Sequence, residues 1–325
     1  MATQPPLIEA RLVAMQLEAR DIVSFVLAPA NLHADAPLPD FTPGSHIDVH
    51  LGNGQTRSYS LSNVDASANR YRLTVQRDPN SRGGSAWLHE TLRVGEVVKI
   101  GAPRNNFVLD DSAPHSVFIA GGIGITPFMP MMARLNRLGR AWHLHYCVRT
   151  PERAAFGDEI EMLAAAGEGR VSHHYDEVPG GAMLDLRATI AALPARAHVY
   201  CCGPSGMLQA FRAAAEAIEP ARVHFEYFSS NVEAAADGGF VVRLARSGQE
   251  FRVETGQTIL GALREHGIEA DSSCEEGVCG ACETRVISGV PDHRDSILGA
   301  RERAANKTMM ICCSGCKSDC LVLDL

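Results

Sequence analysis

Four cysteines near the C-terminus carry the clearest chemistry in the sequence. Cys274, Cys279 and Cys282 follow C-x4-C-x2-C, and Cys312 follows after 29 intervening residues. This is the plant-type spacing for a [2Fe-2S] cluster, in which three thiolates from one loop and one from a distant segment complete a tetrahedral set at each iron. Gly277 and Gly280 suit a loop that wraps a cluster, because glycine accepts positive φ and lets backbone N–H groups turn toward sulfides. Zinc motifs favour paired C-x2-C knuckles instead. The fourth ligand has competitors. Spacing favours Cys312, whereas Cys313, Cys316 and Cys320 form C-x2-C-x3-C and read as buried small hydrophobes or surplus thiols.

Three further motifs could hold anions or a redox ring. Arg57, Ser58, Tyr59 and Ser60 form R-x-Y-S at the end of an expected strand, with Arg57 and Tyr59 on one face and Ser58 and Ser60 on the other. Downstream, Ser81-Arg82-Gly83-Gly84-Ser85 leads into a helical stretch whose free N–H groups and dipole suit a phosphate. Gly121, Gly122 and Gly124 lie in AGGIGITP, where Thr126 is expected as N-cap and Pro127 as first helical residue, presenting the loop to a pyrophosphate. This departs from G-x-G-x-x-G and so from a dehydrogenase-type Rossmann unit. Cys201-Cys202-Gly203-Pro204 ends another strand. Arg149 and Asp176 close two more, and Arg149 would suit a 2′-phosphate, which leaves NADH and NADPH both open. His143, His145, His173 and His174 lie on expected strands without metal-binding spacing.

These residues need scaffolds to position them. Residues 10 to 102 show about six short alternating or β-branched runs, the signature of a closed antiparallel barrel. From Ser116, apolar strands alternate with helical stretches, which implies a parallel sheet with ligands at its carboxyl edge. Ser229 to Gly239 reads as an exposed linker. Beyond it come two strands, a helix at Thr258 to His266, the cysteine loop and two closing strands. The expected fold is multidomain: an antiparallel β-barrel over residues 1–110, an α/β parallel-sheet domain over 111–230, and a linker with an α+β plant-type ferredoxin domain over 231–325.

Composition narrows the function classes. Thirty basic against 38 acidic residues give a formal charge of −8, which argues against a general phosphate-attracting field and so against a nucleic-acid binder. No window approaches the ~18 apolar residues of a membrane span, and MATQPPLIEA lacks the features of a secretory signal. A cytoplasmic protein is expected, in which ten cysteines are poor candidates for a disulfide framework. Residues Asp237 to Leu325 hold ten basic and 14 acidic residues, so an acidic docking face is expected there.

Taken together, RSYS, SRGGS, GGIGITP, CCGP and the terminal cysteine spacing resemble the phthalate dioxygenase reductase family, which includes vanillate demethylase reductases, across nearly the whole chain. The resemblance implies FMN in the barrel, NADH in the middle domain and [2Fe-2S] at the C-terminus. It implies Arg57 on the flavin phosphate with Gly83, Gly84 and Ser85, Tyr59 packed on the ring, Ser60 near its N5, and Phe228 stacked on the flavin. It also places Cys202 beside the nicotinamide. The implied activity is passage of a hydride from NADH to the flavin, then of single electrons through the cluster to a Rieske oxygenase component, with the reductase a monomer. Three rivals stay open: another acceptor (a ferredoxin, cytochrome or diiron hydroxylase), a plain electron carrier without flavin, and a zinc-stabilised interaction protein.

Overall fold

The computed structural model describes residues 7–31, 37–64, 69–79, 81, 83–228, 234–272 and 274–325. They form two compact units, Met1–Glu226 and Tyr227–Leu325.

In the first unit, β1 (Ile8–Ala19), β2 (Ile22–Pro29), β3 (His46–His50), β4 (Thr56–Ser60), β5 (Tyr71–Gln76) and β6 (Val97–Ile100) make an antiparallel sheet in the order β4-β3-β6-β1-β2-β5. Its edge strands meet. Leu61 bridges to Leu73, and the Ser62 N–H donates to the Arg72 carbonyl at 2.9 Å. The sheet thereby closes into the expected barrel, its interior filled by inward residues such as Leu12, Phe25, Ile47 and Leu73. Helix α1 (Gly84–Glu90) buries Leu88 against that core, a side chain contributing roughly 1.5–3 kcal/mol.

The second sheet of this unit is wholly parallel: β7 (His115–Gly121), β8 (Ala141–Val148), β9 (Gly169–Tyr175), β10 (His198–Cys202) and β11 (Val223–Glu226), ordered β11-β10-β7-β8-β9. Helices α2 (Phe128–Arg137) and α3 (Gly157–Ala165) cover Phe118, Trp142, Leu144 and Tyr146, while α4 (Leu186–Ala191) and α5 (Ser205–Ala214) complete the alternation. Strand order reverses at β7, so the loops after β7 and β10 flank a switch point where such sheets take ligands. Several strand histidines find partners within the sheet: His145 Nδ1 lies 3.2 Å from His174 Nε2, and His198 Nδ1 lies 3.0 Å from His224 Nε2.

The second unit carries β12 (Phe240–Leu244), β13 (Glu250–Val253), α6 (Ile259–Glu265), β14 (Glu283–Ser288), β15 (Pro291–Asp292), α7 (Ala300–Ala305), β16 (Thr308–Met310), β17 (Gly315–Cys316) and β18 (Cys320–Leu323). Its mixed sheet runs β13-β12-β18-β14-β16. Leu260 and Leu263 of α6 pack on Val242 and Leu321, which gives the expected α+β core.

Three expectations are corrected. The linker is not exposed throughout. Residues 229–233 of it, like Arg82, lie outside the described residues, but Ala235 is buried and donates its N–H to the Cys313 carbonyl at 2.8 Å. Gly238 makes that close course possible, because a Cβ there would meet the Glu254 carbonyl carbon at 2.1 Å. Thr126 does not cap a helix. A 3₁₀ turn over Gly122–Ile125 already uses the local amides, and the Thr126 hydroxyl instead donates to the Ile123 carbonyl at 3.0 Å. The fifth parallel strand, expected over Val223 to Phe228, ends at Glu226, which leaves Phe228 beyond it and exposed. Among the described residues no helix is long and apolar enough to cross a membrane.

Candidate functional site

The barrel end of the site is built by β4 and the start of α1. Gly83 stands at φ +103°, and a Cβ on Gly84 would lie 2.9 Å from Cγ of Arg57. Gly84 therefore lets the Arg57 stem cross the helix entrance while Gly83 takes the left-handed turn before it, and guanidinium and backbone amides gather there as an anion cradle. Ser85 accepts from the Asp78 N–H at 3.1 Å, which closes the same loop. Residues this close, with charge and donors of one sign, fit a phosphate group. Tyr59 is half-buried, and burial pushes its phenol above the usual range. Ser58 faces the other way and donates to Asp48 at 2.8 Å, a carboxylate also paired with Arg104 at 2.7 Å. That is a structural bond across β3 and β4.

Ser60 is the residue that joins the two sheets. Its hydroxyl donates to Oε2 of Glu226, 3.5 Å away at the end of β11. In the parallel register Glu226 lies beside Cys202. Burial pushes the Glu226 carboxyl up to about 8, while the Ser60 hydrogen bond pulls the other way. Burial and then the neighbouring Glu226 hold the Cys202 thiol well above the ordinary range, so it is a neutral thiol here. A protonatable carboxyl, a hydroxyl and a neutral thiol thus meet where barrel and parallel sheet come together. Glu226 is absent from the residues singled out by motif. Its signal is a lone acid closing a parallel strand in HFEYF, a position where ligands bind such sheets.

The glycines of the nucleotide loops have a packing role. A Cβ on Gly124 would meet the Cys202 carbonyl oxygen at 2.2 Å, and one on Gly121 would meet Cδ of Pro204 at 2.6 Å. A Cβ on Gly203 would in turn lie 3.0 Å from the Gly121 Cα. Gly122, at φ +55°, has among the described residues only Gln76 near its missing side chain, at 3.9 Å. The two loops are pressed together at the switch point, and Gly122 is the glycine turned to open space. On the neighbouring strand ends, Arg149 Nε lies 3.4 Å from Glu177 Oε1, and the Glu177 N–H donates to the Arg149 carbonyl at 2.9 Å.

In the second unit the cysteine loop turns through positive φ at Glu275, Gly277 and Gly280. The thiols fall into two pairs, Cys274 with Cys279 and Cys282 with Cys312, each joined by a side-chain hydrogen bond that, with burial, pushes the Cys274 and Cys282 thiols far up. Backbone N–H groups already point at sulfur: Glu276 donates to Cys274 at 3.3 Å. Among the described residues no three ligating side chains converge on one point fit for a single metal ion. Two thiol pairs are the donor set that two bridged irons require, and loading them releases the thiol protons. Cys316 and Cys320 stand apart from the pairs, whereas Cys313 shares a side-chain hydrogen bond with Cys312. Cys316 Sγ donates to the Ser318 carbonyl at 2.8 Å, and Cys320 sits in β18 beside Val241 of β12.

Comparison with known proteins agrees with this geometry. Residues 118–213 match the family described as oxidoreductase NAD-binding domain, and residues 242–317 match the 2Fe-2S iron-sulfur cluster binding domain. Fold and site define an NAD-dependent iron–sulfur oxidoreductase. The chain is similar to the phenoxybenzoate dioxygenase subunit beta of Ectopseudomonas oleovorans, 51% identical over 325 residues, covering 100% of this chain and 99% of that protein. It is similar to the tetrachlorobenzoquinone reductase of Sphingobium chlorophenolicum, 49% identical and covering 94% of each. A solved structure of phthalate dioxygenase reductase, described as modular for electron transfer from pyridine nucleotides to [2Fe-2S], matches at a TM-score of 0.75 and 37% identity over 98% of both chains. The chain belongs to the phthalate dioxygenase reductase family, as its motifs imply.

Proposed function

We propose that this chain is the reductase component of a Rieske-type oxygenase system, taking a hydride from NADH and passing single electrons to a separate oxygenase. The observation that carries the reading is the meeting of Ser60 with Glu226 and Cys202, which faces the phosphate-cradling barrel toward the glycine loops of the parallel sheet. FMN bound in the barrel supplies the exchange between two-electron and one-electron chemistry. Arg57, Gly83, Gly84 and Ser85 hold its single phosphate, and Tyr59 covers the ring. Ser60 and Glu226 hold a proton at the junction, with the carboxyl at about 8 protonated in neutral solution. Gly122 and the joined loops receive the pyrophosphate of the nucleotide. Cys274, Cys279, Cys282 and Cys312 hold the cluster.

The pairing of Arg149 with Glu177 supports NADH over NADPH, because a 2′-phosphate there would meet carboxylates where it needs a free cation. Functional segments 1–110, 111–230 and 231–325 fit the gaps between Ile100 and His115 and between Glu226 and Phe240, which separate the three larger sheets. A monomer working in the cytoplasm is the reading adopted, and ten cysteines with no disulfide among them fit a reducing compartment. The 49% identity to a tetrachlorobenzoquinone reductase favours a quinone acceptor as second reading.

The test is anaerobic transfer from NADH to two acceptors, a purified Rieske oxygenase and tetrachlorobenzoquinone, each across a salt series. Faster transfer to the oxygenase, falling as salt rises, supports the first reading and an acidic docking face. Transfer to the quinone alone selects the second.

A further inference from the structure

Behind the cysteine loop lies a buried charged cluster that the proposed electron path does not use. Asp295 is 1% exposed, and its Oδ1 accepts the N–H groups of Ile297 at 3.0 Å and Leu298 at 2.7 Å. His293 approaches Asp295 Oδ2 with Nδ1 at 3.8 Å, while its Nε2 bonds Asn306 Oδ1 at 3.1 Å at the end of α7. Arg303, from α7 itself, bonds the Asp295 carbonyl and brings its guanidinium to 3.8 Å from Oδ1. Nδ1 of His293, Oδ2 of Asp295 and Nε of Arg303 have no hydrogen-bond partner among the described residues. Three polar atoms left unpaired at one place are costly, and folded proteins keep such costs where they serve function.

This cluster touches the cysteine loop directly. The Ser296 N–H donates to the Gly277 carbonyl at 2.9 Å, and a Cβ on Gly277 would lie 3.0 Å from the Asp295 Cα and 2.4 Å from Cys313 Sγ. Gly277 is the residue whose own backbone N–H points at the Cys312 sulfur. Asp295 is thus one residue removed from a ligand thiol, on a backbone contact too tight for any side chain to intervene.

We propose that Asp295, held between His293 and Arg303, is a positioning residue that fixes the Gly277 turn and sets the electrostatic field under the cluster loop. The proposal rests on the cluster reading above. In a low-dielectric interior a fixed carboxylate disfavours an added electron, and a fixed guanidinium favours it. The two charges of one cluster therefore oppose each other in setting how readily the centre is reduced.

The experiment is a redox titration of the intact holoprotein, followed by visible absorption and electron paramagnetic resonance, for wild type, Asp295→Asn and Arg303→Gln. The expected result is a retained cluster whose midpoint potential moves positive in Asp295→Asn and negative in Arg303→Gln. Shifts of one sign in both variants, or none, overturn the proposal, since a purely structural role has no reason to reverse with charge. Where Asp295→Asn loses its cluster, the half-exposed Arg303 decides alone: a negative shift supports the proposal and an unchanged potential overturns it. Wild-type protein without iron and acid-labile sulfide would defeat the cluster reading itself, a result distinct from either.

Discussion

Two cysteine-bearing loops in this chain use the same side chain in opposite ways. Cys201 and Cys202, ahead of Gly203-Pro204, are fully buried in the parallel-sheet unit, with thiols raised by burial into a neutral state. Cys274, Cys282 and Cys312 are nearly as enclosed and Cys279 partly so, yet their thiols face one another in pairs and backbone amides point at the sulfur. Burial alone does not separate a packing cysteine from a ligand. What separates them is the company: carbonyls, apolar side chains and Glu226 around the first loop, thiols and N–H donors around the second.

The largest effect expected from breaking this contrast is at the paired thiols. Cys282→Ser and Cys312→Ser should each abolish NADH-driven reduction of cytochrome c while leaving flavin bleaching by NADH intact, as stopped-flow absorbance would record. A Cys312→Ser protein that keeps its cluster would pass the fourth ligand to Cys313, whose sulfur is the near neighbour of Gly277.

Next comes the glycine that permits the first loop. Gly124→Ala drives a Cβ to within 2.2 Å of the Cys202 carbonyl oxygen, so the unit should lose roughly 3 kcal/mol of stability in thermal or urea melts. An unchanged melt would show that the loop yields without cost.

A smaller effect is expected at Glu226. Glu226→Gln keeps an acceptor for the Ser60 hydroxyl but removes the exchangeable proton, and should slow flavin reduction roughly tenfold. The pH dependence has a definite sign. The folded carboxyl titrates at about 8 against 4.5 ordinarily, so its contribution to stability is full below pH 4.5 and is lost as pH rises through 8. Glu226→Gln should flatten that slope in melts run across the same window, and an unaltered slope would assign it to other groups.

The smallest effects belong to the surplus thiols. Cys316→Ser and Cys320→Ser should change stability by about 1 kcal/mol or less and leave the cluster spectrum as it is. Loss of the spectrum in either would erase the distinction between ligand and spare cysteine.

Much of this contrast was legible in the sequence, and for identifiable reasons. The C-x4-C-x2-C spacing and positive-φ glycines are local properties, and Gly277 and Gly280 do adopt φ +70° and +76°. The barrel was legible because period-2 alternation survives in strands with one buried face, as in Val97 to Ile100, where exposed and buried residues alternate. What stayed hidden depends on contacts between distant segments. Ser60 and Glu226 are 166 residues apart, and nothing in HFEYF ties its acid to a serine in the barrel. Helix α7 escaped because ARERAA is six residues long with no apolar stripe, held by the Glu302 side chain on the Gly299 N–H and by Arg303 on Asp295. Thr126 misled because Thr-Pro reads as a helix start wherever the preceding turn leaves amides free, and here the 3₁₀ turn had taken them.

The proposed function needs two cofactor sites in one chain, one at Arg57 and the glycine pair, the other at the two thiol pairs. Acid extraction of the purified protein, with chromatography of the released flavin and assay of iron and labile sulfide, tests both at once. The account predicts FMN together with the two irons and two sulfides of a 2Fe-2S centre per chain. Release of FAD, zinc in place of iron, or twice that iron content would contradict it.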